Sequence, residues 1–291
     1  MIDLALITAL LLATLRLSTP LLFASMGGLL SERSGVINIA LEGFILLGAF
    51  SGASFAHYTG SEWWGFLLAG SIGALSGLIF ASIVLFLKSD QIIAGMAFNL
   101  FAMGIIPFCS KIVFSSTGST PSLSIENRFA FEPIVISLLC VSLVYIFLRY
   151  TKAGLWVLFA GEKPEALTAS GVSLIKVRLL SVTASGALAA LGGASLSLFL
   201  ASSYSPMMSG GRGFMALAAM IFGKWKPLPT LFACFLFGFA DAIQIRLQGI
   251  RLGTFEIPVQ FIQVLPYLVT IVALAGFMGK SSAPKALGQK T

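Results

Sequence analysis

Long runs of apolar residues separated by short polar clusters set the rhythm of the chain. A helix needs about 20 such residues to cross a bilayer core of about 30 Å. Windows of this kind fall at residues 2–30, 36–56, 63–87, 92–108, 133–148, 179–201, 214–222, 228–247 and 259–278. The pattern predicts an all-α fold, a polytopic transmembrane helical bundle of about nine spans, with eight to ten as the bounds. The seventh window is too short to cross alone. Either it extends over 211–225, or it is a broken or re-entrant piece, which is tolerated only where protein or a water-filled cavity surrounds the freed backbone. The first window is long enough to tilt, or to break near Pro20.

Composition agrees with that pattern. Of 291 residues, 57% are hydrophobic and 10% charged, against about 25% charged in soluble domains, which excludes a water-soluble globule. The net charge of +7 falls mostly in loops between spans, so it reads as topology signal rather than as a nucleic-acid surface. With the N-terminus outside, the inside loops hold Arg33, Lys88, Arg149, Lys152, Lys163, Lys176, Arg178, Lys224, Lys226, Lys280, Lys285 and Lys290. The outside loops hold only Lys111, Arg128, Arg212, Arg246 and Arg251, and Arg16 lies within the first span. The positive-inside bias therefore predicts N-out and C-in. Residues 1–291 form a single transmembrane domain with an extracytoplasmic loop at 109–132, a cytoplasmic loop at 149–178 and a cytoplasmic tail at 279–291. Asp3 and the lack of a basic leader predict that the first stretch is a retained helix. Trp63, Trp64 and Trp225 sit at span ends, where amphipathic rings prefer the headgroup layer.

Catalytic chemistry finds little support. Cys109, Cys140 and Cys234 show no metal-ligand spacing, and His57 is the single histidine. No cofactor or metal is called for. The Gly279–Ser282 stretch, GKSS, has Leu274 where a phosphate-binding loop requires glycine. Nothing forms a nucleophile–base set, so the chain is expected to be non-catalytic.

Polar residues inside spans need a partner, a wet path or a function. Asn38 and Glu42 lie four apart at the start of the second span, and Asn99 lies within the fourth. In the eighth, Asp241, Gln244 and Gln248 share one helical face, with Arg246 nearby. Together they can line a hydrophilic route suited to a neutral polar substrate. The alternative is that they satisfy one another or cap broken helices, with Asn38 bonding backbone near Gly35 and Asp241 pairing with Arg246 or Arg16. Rows of small residues, Gly73 and Gly77 in the third span and Gly186, Ala189, Ala190 and Gly193 in the sixth, allow close helix packing. Packing within one bundle is favoured over a dimer seam.

The inside loop carries a short helix. Pro164 suits a first helical position, Glu165 the positive N-terminal end, and Gly171 a left-handed stop. Lys163, Lys176 and Arg178 read as a basic rim. A helix this small has little affinity for lipid, so a protein groove is the better partner.

The stretch GEKPEALTASGVSLIKVRLLSVTASGALAALGGA resembles the coupling loop and following span of ABC importer permeases of the branched-chain amino acid, ribose and nucleoside class. SERSGVINIALEGFILLGAF, DQIIAGMAFNLFAMG, GRGFMALAAMIFGKWKP and FGFADAIQIRLQG resemble its shorter nucleoside and simple-sugar permease subunit. The likeness runs from about Leu21 to Ala275 in separated blocks. It implies a multi-pass protein of the bacterial cytoplasmic membrane. The partners it implies are a cytoplasmic ATP-binding subunit, a second related permease, and an extracytoplasmic substrate-binding protein or lipoprotein. By position, Gly161, Glu162, Pro164, Glu165, Ala166, Ala169 and Gly171 are the ATPase-coupling residues, and Asn38 and Glu42 lie near the path. Lys163 stands where the family often has a polar residue before the loop proline. The expected function is ATP-driven import of nucleosides or related small polar solutes. The alternatives are a pentose or simple-sugar permease and an ion-coupled secondary transporter; the latter predicts inverted repeats and a coupling-ion site, neither evident here.

Overall fold

A computed structural model describes residues 4–248, 251–252, 255–256, 264, 268 and 283–289. The apolar windows become α1 (Leu4–Arg33), α2 (Leu41–Thr59), α3 (Glu62–Leu85), α4 (Gln91–Phe114) and α5 (Glu132–Tyr150). There follow α6 (Lys152–Glu162), α7 (Pro164–Ala169), α8 (Leu174–Ser195), α9 (Arg212–Phe222) and α10 (Pro227–Leu247). Among the described residues six helices, α1, α3, α4, α5, α8 and α10, are long and apolar enough to cross a membrane. A π-helical turn, Leu196–Leu200, continues α8. A two-residue antiparallel pair, Arg251–Leu252 with Phe255–Glu256, is a minor departure from the all-α expectation. The window at 259–278 lies outside the described residues, apart from Val264 and Leu268.

Three boundaries differ from the sequence reading, each for a local reason, and the seventh window takes one of its two expected forms. The second helix starts at Leu41 rather than at residue 36, because Gly35 turns the chain with φ +95° and the backbone groups of residues 36–40 are taken up mostly by the side chains of Ser31, Gln91, Asn38 and Asn99. Asn38 and Glu42 therefore do not share a helical face. The outer loop expected from residue 109 begins later, since α4 runs through Pro107 to Phe114. The inner loop at 149–178 is largely helical: Thr151 caps α6 by accepting from Gly154 N at 3.0 Å. The seventh window takes the broken form, with α9 only 11 residues long and so roughly 16 Å, about half a bilayer core.

Helix α8 is the central post, packed against α1, α2 and α3. In lipid, helices are drawn together by close packing rather than by water exclusion, and the small-residue rows supply it here. Gly73 and Gly77 of α3 face Gly186 of α8, and Gly193 of α8 lies against the Ile45 carbonyl of α2. These rows thus pack inside the one chain. On the other side of α2, Phe44, Phe80 and Phe98 interlock, with the Phe44 and Phe98 ring centres 4.8 Å apart.

A side chain at Gly193 would strike backbone, whereas Gly104 on α4 has open space around it. Gly193→Leu is expected to lose about 3 kcal/mol or more, since rigid backbone cannot yield as side chains do, and Gly104→Leu to be tolerated. Thermal melting of the detergent-purified variants, followed by size exclusion, checks the contrast.

Candidate functional site

Two interruptions of helix are packed among the helices of the bundle, and their backbone groups dictate the polar side chains around them. In apolar surroundings each freed N–H and C=O needs a protein partner. At the first break, between α1 and α2, Ser31 Oγ donates to Val36 O at 2.9 Å and Gln91 Oε1 accepts from Ile37 N at 2.7 Å. Asn38 Oδ1 accepts from Ala40 N at 3.2 Å, while its amide donates to Ser185 Oγ on α8 at 2.8 Å. Asn99 on α4 serves both strands of the break. Its amide donates to Ile39 O at 2.9 Å, and its oxygen accepts from Gly43 N at 2.8 Å.

The second break is the segment between the π turn and α9. Its upper part is held by Thr120 and Tyr204, each donating its backbone N–H to an oxygen of the other residue, and by Leu123 N to Ser202 O at 2.7 Å. The segment then reaches the first turn of α2. There Glu42 Oε1 accepts from Ser209 Oγ at 2.5 Å and Gly211 N at 2.9 Å, and Oε2 accepts from Gly213 N at 2.7 Å. A helix N-terminus presents free N–H groups and a partial positive charge, which a carboxylate neutralises. Glu42, 3% exposed, does this for α9 from a different helix. Gly213 allows the approach, since a Cβ there would collide with the Glu42 backbone. The other end of α9 meets α1: Trp225 Nε1 donates to Glu32 Oε2 at 2.6 Å, and Arg33 Nε donates to Trp225 O at 2.7 Å.

The expected face on α10 is only partly buried. Asp241 is 8% exposed, Gln244 half-buried, and Gln248 exposed beyond the helix end. Asp241 pairs with neither Arg246 nor Arg16 but with Arg212, Oδ2 to Nη2 at 4.0 Å. Arg212 Nη1 also donates to Met208 O and Ser209 O, while its buried Nε has no hydrogen-bond partner. Arg16 instead lies over the Phe199 ring at 4.8 Å. Asn38, Glu42 and Asn99 thus have their polar atoms engaged in the frame, whereas the Asp241–Arg212 pair, at 4.0 Å, retains unused capacity. Gln91, Ser185, Ser209 and Arg212 complete the cluster and were not singled out from the sequence; Gln91 follows the capping Asp90 in a way that resembles an ordinary helix start.

At the end of the bundle bearing Arg33, α7 projects with Glu165, Ala166 and Ala169 exposed and Leu167 buried as its anchor. Gly171 adopts φ +82° and stops it. Glu162, at the end of α6, lies 3.5 Å from Arg33. Arg178 is not part of a basic rim: it is 1% exposed. Its guanidinium donates to Ser34 O at 3.1 Å, Ala160 O at 3.4 Å and Gln289 O at 3.3 Å. The carbonyl ends of α1 and α6 carry partial negative charge, so a cation is held here without a carboxylate. The tail joins the same knot through Ala286 N to Gly161 O at 2.8 Å and Gly288 N to Gly35 O at 3.1 Å. A Cβ on Gly161 would meet the Arg33 carbonyl, so the end of α6 is seated directly on the α1 terminus.

Residues 10–274 match the family model described as branched-chain amino acid transport system / permease component. The guanosine ABC transporter permease protein NupQ of Bacillus subtilis is 35% identical, over 95% of this chain and 94% of its own. The nucleoside ABC transporter permease protein NupC of Lactococcus lactis is 33% identical, over 93% and 92%. A protein assigned as a glucose ABC transporter permease, TsgC13 of Haloferax volcanii, is 33% identical, over 90% and 89%. No solved structure matches the chain.

Glu42→Ala leaves the α9 amides and Ser209 without their acceptor, at an expected cost of about 3 kcal/mol or more. Glu42→Gln, which keeps an acceptor oxygen, is expected to fall between Ala and the native residue. A melting series with hydrogen exchange at residues 209–213 checks both; unchanged exchange in the Ala variant contradicts the capping role.

Proposed function

The chain belongs to the branched-chain amino acid transport system permease family, and on that premise we propose that it translocates nucleosides or related small polar solutes by alternating access. Its place is that of the membrane-spanning permease subunit of an ABC importer, a multi-pass protein of the bacterial cytoplasmic membrane. Full-length likeness to guanosine and nucleoside permeases carries this reading. A second reading, a simple sugar as substrate, is favoured by the likeness to TsgC13. Purifying the full assembly and comparing its ATP hydrolysis with nucleosides and with sugars separates the two.

The distribution of lysine and arginine supports an N-out, C-in bundle of about nine spans. In that orientation α7 and the Arg33 end face the cytoplasm. ATP is hydrolysed on a partner chain, in whose groove the exposed Glu165, Ala166 and Ala169 are seated. Substrate arrives from an extracytoplasmic binding protein, and a second related permease completes the membrane unit. Movement of α7 pulls on α6 through the short break at Lys163. From there Gly161, the Arg33–Glu162 pair and Arg178 pass it to the ends of α1, α2 and α8. Such a link carries a small displacement as rigid-body motion, because packed helices move as units.

The path itself is assigned to the polar face of α10, Asp241, Gln244 and Gln248, with Arg212 across from it. Asn38, Glu42 and Asn99 border the path and hold its broken helices in register. A neutral polyol or nucleoside presents donors and acceptors that can exchange with the long Asp241–Arg212 pair without stranding a charge.

Glu165→Lys or Ala169→Trp is expected to reduce substrate-stimulated ATP hydrolysis about tenfold or more, by misplacing the docked helix, with membrane insertion unchanged. Wild-type coupling in both variants contradicts the docking assignment. Asp241→Leu is expected to lower uptake while the complex still copurifies with its ATPase; loss of the whole complex favours a purely structural role.

A further inference from the structure

A cleft of about 440 Å³ opens between the end of α1, the end of α5 and the start of α10. Arg33, Arg149 and Lys226 line it, and no acidic side chain does. Arg33 is partly balanced, since Glu162 lies 3.5 Å from it. Arg149 and Lys226 are exposed and have no carboxylate within ion-pair distance among the described residues. Arg149 is nevertheless held in place: its Nη1 donates to Tyr145 Oη at 2.7 Å, and it lies 5.7 Å from the Tyr145 and Tyr150 ring centres. Trp225, fixed by Glu32, forms part of the floor. The cleft thus has one prepositioned cation, Arg149, and one exposed lysine, Lys226, that no carboxylate among the described residues neutralises.

Its other half is apolar. Leu228 lines the cleft and is 45% exposed, and Phe232, one turn along α10, is 69% exposed. The lining therefore runs from cations and interfacial aromatics into a surface suited to acyl chains. A free anion would use only the first half of this arrangement, and an apolar segment only the second.

We propose that this cleft is a binding site for the phosphate headgroup of an anionic phospholipid, with Arg149 and Lys226 contacting the phosphate and Leu228 and Phe232 contacting an acyl chain. The proposal depends on the chain being embedded in a bilayer and not on which solute it carries. Such a lipid would sit against the Arg33–Trp225 junction and brace the end of α9.

The test uses the full chain in nanodiscs of equal parts phosphatidylcholine and phosphatidylglycerol, with retained lipid identified by native mass spectrometry. Phosphatidylglycerol is expected to be retained in preference to phosphatidylcholine, and to stay bound when excess inorganic phosphate is added. Arg149→Gln with Lys226→Gln is expected to reduce its retention about 30-fold, from the usual contribution of each basic residue near an anionic surface. Leu228→Trp fills the cleft without changing charge and is expected to reduce retention too, while Lys111→Gln at the other end of the bundle leaves it unchanged. Equal retention of the two lipids overturns the proposal, as does displacement by inorganic phosphate, which marks a free-anion site. If the double variant fails to insert, Leu228→Trp decides, and unchanged retention there overturns the proposal.

Discussion

Glu42 holds together two pieces of chain that a membrane would otherwise not tolerate. Its carboxylate sits in the first turn of α2 and closes the N-terminus of α9 through Ser209, Gly211 and Gly213. A half-helix that begins inside an apolar bundle leaves several N–H groups bare, each costing several kcal/mol in hydrocarbon. Without a fixed acceptor at that point, α9 would have to lengthen into a plain span or leave the bundle. The break between α1 and α2 follows the same rule with neutral acceptors: Gln91, Asn38 and Asn99 take the freed groups one by one. The polar residues are where they are because the backbone is irregular there, and irregular backbone in such a bundle is a feature of transport paths.

The same accounting operates at the end that carries α7. Arg178 gathers carbonyls from the α1 terminus, from α6 and from the tail, and Gly161 lets the end of α6 rest on α1. These contacts tie α6, the neighbour of α7, to the base of the broken-helix region. Small-residue packing of α8 against α2 and α3 makes the adjoining body close-packed and rigid. Helix α1 joins the two regions: it ends in the knot and meets the turn after α9 through Glu32 and Trp225.

Much of this was legible in the sequence, and the remainder has identifiable causes. Helix positions follow from apolar runs of bilayer length, which need no tertiary information. The stop at Gly171 and the start at Pro164 follow from local backbone preferences. The start of α2 was missed because hydropathy is blind to a turn: residues 36–40 are mostly apolar, and only their hydrogen-bond partners on α1 and α4 show that they are not helix. Arg178 read as a surface charge because the carbonyls that solvate it come from distant segments. Arg212 escaped notice as the partner of Asp241 for the same reason, and Arg246, nearer in sequence, is exposed. Family likeness supplied what periodicity does not, namely the expectation that the short α7 meets a partner protein.

Uptake by proteoliposomes containing this chain, a second permease, the ATP-binding subunit and the binding protein separates ATP-driven import from ion-coupled transport. Radiolabelled nucleoside is expected to accumulate only with ATP supplied on the α7 side, and collapse of proton and sodium gradients to leave the rate unchanged. Accumulation driven by an ion gradient without ATP, with this chain alone in the membrane, would contradict the import reading.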